Sequence, residues 1–311
     1  MVRKPKILVV GSFVMDMIVR TGRVPNEGET VIDGISFSTA PGGKGANQAV
    51  QAARLGDELI RSAKEAGIDT RYVIRDETSS SAIGNITLEV RQGQKARNRI
   101  IVVPGANMRL TPGDVEFIKD IVSEYDMVML QLEIPMRVNE IVAEYAAEKG
   151  IPVMLNSAPS APLPDSLLSR LAYISPNEHE AADITGIRIM NSEEGPDFYA
   201  IKAAAGKLVE KGVRNVIITL GSNGVAFMNR DRFIYKPCVD IVEVVDPTAA
   251  GDSFTGAFCT AVCMGMNEEE ALDFANYTAT ITVSRMGAQP SLPEYGEVVK
   301  LIQANSACIG I

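Results

Sequence analysis

The 311-residue sequence contains a single histidine, His179. Ser-His-Asp hydrolysis, histidine-rich metal sites and most histidine acid/base schemes would all have to run through that one side chain. It falls in a polar stretch that reads as a helix start, and no catalytic role is expected of it. Cysteine is scarce as well. Cys238, Cys259, Cys263 and Cys308 form no CxxC pair and no zinc spacing, and a chain of this size needs no disulfide framework. Cys259 and Cys263, one helical turn apart among Ala, Phe and Val, read as buried small hydrophobes. Reduced thiols of this kind suit a cytoplasmic location. No apolar run approaches the roughly twenty residues that cross a bilayer, so no membrane contact is expected. The run Ile7-Leu8-Val9-Val10 is too short for a signal-peptide core and reads as a first buried strand. An excess of positive charge is missing too: the net charge is -9, which excludes the electrostatic footprint of a nucleic-acid binder.

What is present is apolar content, 46% of the chain, enough to bury a large core in one sizeable domain. From about residue 112 onward, helix-period stretches alternate with short β-branched runs, the pattern of a parallel sheet with helices on both faces. The expected strands are Met127 to Leu130, Pro152 to Leu155, Ala172 to Ile174 and Val216 to Leu220. Expected helices include Val138 to Lys149 and Ile201 to Lys211, the latter stopped by Gly212. After Pro247 the chain reads as three helices: Ala250 to Met264, Glu268 to Ser284 and Pro293 to Gln303. The early chain differs. Glu29 to Thr39, Ser81 to Val90 and Arg99 to Val103 are β-rich segments broken by Gly and polar residues, which predicts a small antiparallel layer beside the main sheet. The helix expected from Lys44 to Leu55 passes through Gly56 straight into a second helical run, Asp57 to Ala66. A strand is normally found between two such helices, so a strand-sized piece is missing at Gly56-Asp57.

Two stretches carry candidate chemistry. Asp246-Pro247-Thr248-Ala249-Ala250-Gly251-Asp252-Ser253-Phe254 follows apolar residues and opens a long helix. Small residues at such a junction let backbone N–H groups converge on an anion, with the helix dipole adding positive potential. Asp252 could then accept a proton from an attacking hydroxyl while the amides stabilise a phosphoryl group. Plain helix capping explains the spacing equally well. Pro41-Gly42-Gly43-Lys44-Gly45-Ala46-Asn47 is a second glycine-rich helix start, neither GxGxxG nor a Walker pattern.

GGKGAN at 42–47 and DPTAAGDSF at 246–254 resemble the two signature regions of the ribokinase, or phosphofructokinase-B-like, carbohydrate kinases. Gly105-Ala106-Asn107, Gln131-Leu132-Glu133, Asn156-Ser157-Ala158-Pro159, Pro176-Asn177-Glu178-His179-Glu180, Thr219-Leu220-Gly221-Ser222-Asn223-Gly224 and Gly287-Ala288-Gln289-Pro290-Ser291 agree in the same order. The resemblance implies one doubly wound, mainly parallel α/β domain over 1–311, with a small β lid from segments near 14–40 and 81–103. It implies ATP-dependent phosphorylation of a sugar, ribose at O5 first. Asp252 is the implied base, and the amides of Ala249, Ala250, Gly251 and Asp252 the anion hole. The implied sugar contacts are Asp16, Gly42, Gly43, Lys44, Gly45, Asn47, Glu133 and Asp252. The implied nucleotide contacts are Asn177, Thr219, Leu220, Gly221, Ser222, Asn223, Gly224, Gly251 and Asn276. Asn177 and Glu180 would organise Mg²⁺, through water; a helix cap with a capping-box glutamate fits the same two residues. K⁺ would be held by Asp246, the carbonyls of Thr248, Thr282, Arg285 and Gly287, and Ser291. A homodimer through the lids is also expected.

Two departures stand out. Val14 occupies a position where the family has an asparagine, and valine cannot hydrogen-bond a hydroxyl. The junction at Gly56-Asp57 lacks a strand and a Gly-Asp loop that related kinases carry. Other readings are therefore kept: a kinase of another sugar, a sugar acid or a nucleoside, or an impaired kinase that only binds its ligand. A nicotinamide-dependent dehydrogenase would need GxGxxG after the first strand, which Gly11-Ser12-Phe13-Val14 does not supply.

Overall fold

The computed structural model describes residues 5–24, 34–53, 63–64, 67–89, 97–190 and 195–308. Its strands, in chain order, are β1 (Ile7–Val10), β2 (Val14–Thr21), β3 (Gly34–Gly42), β4 (Ala82–Glu89), β5 (Arg97–Val103), β6 (Met127–Leu130), β7 (Val153–Asn156), β8 (Tyr173–Ser175), β9 (Asn215–Thr219), β10 (Val225–Met228) and β11 (Phe233–Lys236). Its α-helices are α1 (Lys44–Ala53), α2 (Ile118–Ile121), α3 (Met136–Glu148), α4 (Asp165–Leu168), α5 (Glu178–Thr185), α6 (Phe198–Glu210), α7 (Ala250–Cys263), α8 (Glu268–Val283) and α9 (Tyr295–Cys308). The chain divides into two compact units. The first comprises Met1–Gly11, Arg109–Asp240 and Ala257–Asn276, and the second Ser12–Met108, Ile241–Gly256 and Tyr277–Ile311.

The first unit is built on a seven-stranded sheet of order β1-β6-β7-β8-β9-β10-β11. The strands β1, β6, β7, β8 and β9 run parallel, in register Val9↔Met129 between β1 and β6 and Leu130↔Leu155 between β6 and β7. Every residue of β6 (MVML) and β7 (VMLN) is buried, as a sheet covered on both faces requires, and this is why the two strands read from sequence as unbroken apolar runs. Helix α3 turns Val138, Ile141, Val142 and Ala146 into one core with Val128, Leu130, Val153 and Leu155, the i, i+3, i+4 spacing of a core-facing helix. The sheet is mainly parallel rather than wholly so. β10 pairs antiparallel with β9 and β11 with β10, a hairpin that the alternation of helices and strands does not announce.

The second unit carries a four-stranded sheet of order β3-β2-β4-β5. The early β segments do form a separate small sheet, but it is mixed: β2 and β3 are antiparallel, β2 and β4 parallel, β4 and β5 antiparallel. One face is buried, with Ile18, Ala40 and Ile86 forming a small cluster. On the other face the apolar side chains Phe37, Ile83, Ile101 and Val103 are exposed, Ile101 to 71%. The gap inferred at Gly56-Asp57 lies outside the described residues, as does most of the helical run beyond it. Among the described residues β1 ends the sheet order of the first unit, and Ile7, Leu8 and Val9 are only half-buried.

Candidate functional site

In the second unit, Ser12 ties the strand segment to the glycine-rich helix start. Its carbonyl accepts from Ala46 N at 2.9 Å and its hydroxyl from Gly45 N at 3.3 Å. Gly43 has φ +93°, and a Cβ there would lie 2.7 Å from Val14 N, so only glycine fits between β2 and α1. Asp16, 7% exposed, points its carboxylate to the buried face of the small sheet. A Cβ on Gly42 would overlap Asp16 Oδ2, and one on Gly84 would overlap Oδ1. The two glycines make a slot for this carboxylate. Gly42 was singled out from sequence; Gly84 was not, because nothing local marks it as the partner of a residue on a neighbouring strand. Val14 lies on the same face of β2 as Asp16, two residues away and 1% exposed.

The small-residue segment behaves as a strained turn that opens a helix. Ala249 has φ 63°, a left-handed conformation uncommon for a residue with a Cβ. Helix α7 starts at Ala250, and nothing described lies within 4 Å of where a Gly251 Cβ would be. Asp252 falls in the first turn of α7 and is 6% exposed. Two amide side chains of α1 reach it: Asn47 Nδ2 donates to Oδ2 at 2.9 Å and Gln48 Nε2 to Oδ1 at 3.3 Å. Asn47 Oδ1 is buried and accepts no hydrogen bond among the described residues. A buried acceptor without a donor is costly, of order 1–3 kcal/mol, which points to a ligand hydroxyl as its partner. Lys44 and Gly45 sit in the first turn of the same helix.

The expected cation ligands also belong to the second unit. Asp246, 1% exposed, accepts from Thr248 N at 2.9 Å on Oδ1 and from Gly287 N at 3.0 Å on Oδ2. This carboxylate therefore staples the 246–248 turn to the segment after α8. Thr282 Oγ1 lies 2.9 Å from Ser253 Oγ, and the Thr282 carbonyl accepts from Arg285 N. Ser291 Oγ donates to the Ala288 carbonyl at 2.6 Å, and the Arg285 guanidinium pairs with Glu297. The oxygen-rich character of the set suits a monovalent cation, and each Asp246 oxygen keeps a second lone pair.

The expected nucleotide residues other than Gly251 belong to the first unit. Asn177 caps α5: its Oδ1 accepts from His179 N and Glu180 N, both at 2.9 Å, while its own N and Nδ2 donate to the two Glu180 oxygens at 3.0 and 2.9 Å. The capping box read from PNEHE is thus formed, and a metal ion could meet Glu180 only at its remaining lone pairs or through water. Thr219 N donates to the Pro176 carbonyl at 3.0 Å, and Asn177 bridges to Thr219, which brings two of the expected contacts together at the carboxyl ends of β8 and β9. The loop that follows, Leu220 to Gly224, closes through Leu220 N to the Gly224 carbonyl at 2.9 Å. Gly224 has φ +91°, and a Cβ there would overlap the Lys236 carbonyl. Tyr235, not singled out from sequence, donates its hydroxyl to the Asn223 carbonyl at 2.7 Å and packs edge-on against Phe198. Burial raises the Tyr235 phenol above its ordinary value, so it stays a donor. Asn276 Nδ2 donates to the Pro237 carbonyl at 2.6 Å. Glu133 lies half-buried in the turn after β6.

Among the described residues no helix is long and apolar enough to cross a membrane. No group of three or more His, Cys, Asp or Glu side chains among them forms a metal-sized cluster.

Residues 4–295 match the family described as pfkB family carbohydrate kinase. The chain is 36% identical to a ribokinase of Schizosaccharomyces pombe over 318 residues, covering 94% of this chain and 96% of the relative. It is 32% identical to a deoxyribokinase of Salmonella typhi, covering 95% and 99%. The structure of Arabidopsis thaliana ribokinase complexed with ribose and ATP superposes with a TM-score of 0.80 at 33% identity, covering 96% of this chain and 99% of that one. The chain belongs to the pfkB family of carbohydrate kinases.

Proposed function

We propose that the chain is an ATP-dependent pentose kinase that phosphorylates ribose at O5. The observation that supports this most is the buried Asp252, held by amide donors at the mouth of a small-residue helix start, beside an Asn47 oxygen left for a ligand hydroxyl. Asp252 takes the proton as the sugar oxygen forms its bond to the γ-phosphorus and the bond from phosphorus to the ADP oxygen breaks. The amides of Ala249, Ala250, Gly251 and Asp252 meet the charge on the transferred group. Asp16, Gly42, Gly43, Lys44, Gly45, Asn47 and Glu133 hold the sugar. Asn177, the 219–224 loop, Gly251 and Asn276 hold ATP. When bound, Mg²⁺ neutralises phosphate charge, and Asn177 with Glu180 would orient its water shell. Asp246, with the Thr248, Thr282, Arg285 and Gly287 carbonyls and Ser291, would hold K⁺ beside the 249–252 turn.

On the same reading the chain works as one domain, the four-stranded sheet serves as a lid, and the exposed row Phe37, Ile83, Ile101 and Val103 pairs with a second copy. A cytoplasmic location fits the thiols, of which Cys238, Cys259 and Cys263 form no disulfide. A second pentose is favoured by one observation: Val14 adds an apolar, 1% exposed surface beside Asp16. A hydroxyl facing it would be buried unpaired, so deoxyribose is the runner-up acceptor.

The test is a coupled ADP-release assay with ATP, Mg²⁺ and K⁺ across ribose, deoxyribose, fructose and nucleosides, run beside Asp252→Asn. Ribose-dependent turnover that vanishes in the variant is the expected result. A folded protein with no sugar-dependent turnover would overturn it, in favour of an impaired kinase that only binds its ligand.

A further inference from the structure

We infer that Gln48 is a positioning residue for the Asp252 carboxylate, and that Gly256 is the residue that admits it. The inference rests on the reading of Asp252 as the base. Gln48 is fully buried, on the α1 face that meets α7. It sits next to Asn47 in sequence, yet the two amides reach different oxygens of the same carboxylate, Asn47 at 2.9 Å on Oδ2 and Gln48 at 3.3 Å on Oδ1. A carboxylate held by one donor can still turn about its Cβ–Cγ bond. Donors on both oxygens fix its plane, and each ionised oxygen keeps a lone pair for the acceptor hydroxyl. The donors are neutral amides. A cationic side chain in their place would orient a carboxylate equally well but would oppose its protonation, which a base must undergo in every turnover.

Gly256 lies one helical turn beyond Asp252 on α7. A Cβ there would lie 2.9 Å from Gln51 Cβ, closer than real Cβ contacts come, and 3.0 Å from the Gln48 carbonyl oxygen, tighter than most of them. The absence of a side chain at 256 is therefore what lets α1 approach α7 closely enough for the Gln48 amide to reach Asp252. Any larger residue would press on the Gln48 backbone and lengthen a contact that is already at the long end of the hydrogen-bond range. Gln48 touches the base and acts through it, so its removal should affect the chemical step and leave sugar and nucleotide binding alone.

The experiment compares Gln48→Met, which keeps length and loses the donor, with Gln48→Glu, Gly256→Ala and the double variant Gln48→Met/Gly256→Ala. Gln51→Met is the control: Gln51 is on the same helix and donates to the Pro293 carbonyl, away from Asp252. The expected result is a tenfold to hundredfold fall in kcat for Gln48→Met, with KM for sugar and ATP within about twofold. A larger fall is expected for Gln48→Glu, a parallel fall for Gly256→Ala, and a double variant scarcely worse than either single one, because both act through one carboxylate. Gln51→Met should keep kcat within about twofold. A folded Gln48→Met with the parent kcat, or one that raises the sugar KM at unchanged kcat, would overturn the inference. So would strictly multiplicative losses in the double variant. If Gln48→Met does not fold, Gln48→Glu and Gly256→Ala decide by the same split. Asp252→Asn, assayed alongside, separates the two ideas: retained turnover there sinks the base itself, whereas lost turnover there with an active Gln48→Met sinks only this inference.

Discussion

Asp16 and Gly84 face each other across two parallel strands, and the Asp16 carboxylate fills the space in which a side chain at 84 would have to begin. Gly42 bounds the same carboxylate from the antiparallel neighbour. A buried acid on a small sheet is held in one rotamer by what its two neighbours lack. Replacing Gly84 by alanine must turn the carboxylate out of its slot or move a strand. We expect Gly84→Ala to raise the sugar KM by at least tenfold, of order 1.4 kcal/mol or more, while the ATP KM stays near the parent value. An unchanged sugar KM in steady-state kinetics would separate Asp16 from sugar binding.

Ala249 carries strain in the turn that opens α7. Its φ of 63° is available to glycine without penalty and strongly disfavoured for β-branched residues. Ala249→Gly should be neutral to within about 1 kcal/mol, since relief of strain is offset by the freedom glycine has when unfolded. Ala249→Val should lose about 2 kcal/mol or more and most of its turnover. Urea denaturation read beside kcat checks both, and a stable, active valine variant would refute the account.

Val14 sets a further expectation. Val14→Asn places a donor and an acceptor next to Asp16, so the ratio of kcat/KM for ribose over deoxyribose should rise by roughly tenfold, the worth of one satisfied hydroxyl. A ratio that does not move would mean that position 14 does not face the sugar.

The alkaline limit of stability should come from three buried acids of the first unit, Tyr173, Cys259 and Cys263. Burial pushes the Tyr173 phenol from 10.0 to about 12 and the Cys263 thiol from 9.0 to about 12. Burial also holds the fully enclosed Cys259 well above 9.0. In each case the folded state keeps a proton that the unfolded chain releases earlier. The stabilisation is therefore complete below about pH 9 and is lost as pH rises through 10 towards 12, by about 1.4 kcal/mol per pH unit for each group. Denaturation series from pH 8 to 11 should slope downward for the parent and less steeply for Tyr173→Phe and Cys263→Ala. Equal slopes would place the alkaline transition elsewhere.

The four residues Met127–Leu130 could be recognised as a strand in the sequence alone, because a parallel strand buried on both faces is apolar at every position whatever its partners are. Helices α3 and α6 were legible for a similar reason: their apolar spacing and stop signals are local. The turn from Asp246 to Asp252 was legible as a helix start, since small residues next to a helix start serve one backbone geometry. The hairpin of β10 and β11 was not. Val225–Met228 and Phe233–Lys236 are short, and they are strands because the edge of β9 offers them a ladder. Nor did the early segments reveal that β2 runs parallel to β4, since strand direction within a sheet belongs to the connection and not to the residues.

The sequence by itself determined the chemistry available, a carboxylate at a small-residue helix start and a glycine-rich second helix, because those properties reside in neighbours along the chain. Only the tertiary structure decided which groups hold that chemistry in place. Gln48 meets Asp252 across 204 positions, and Gly84 leaves room for Asp16 across 68. Such contacts depend on how closely two helices or two strands approach, a distance set by side chains that are absent at Gly256 and Gly84.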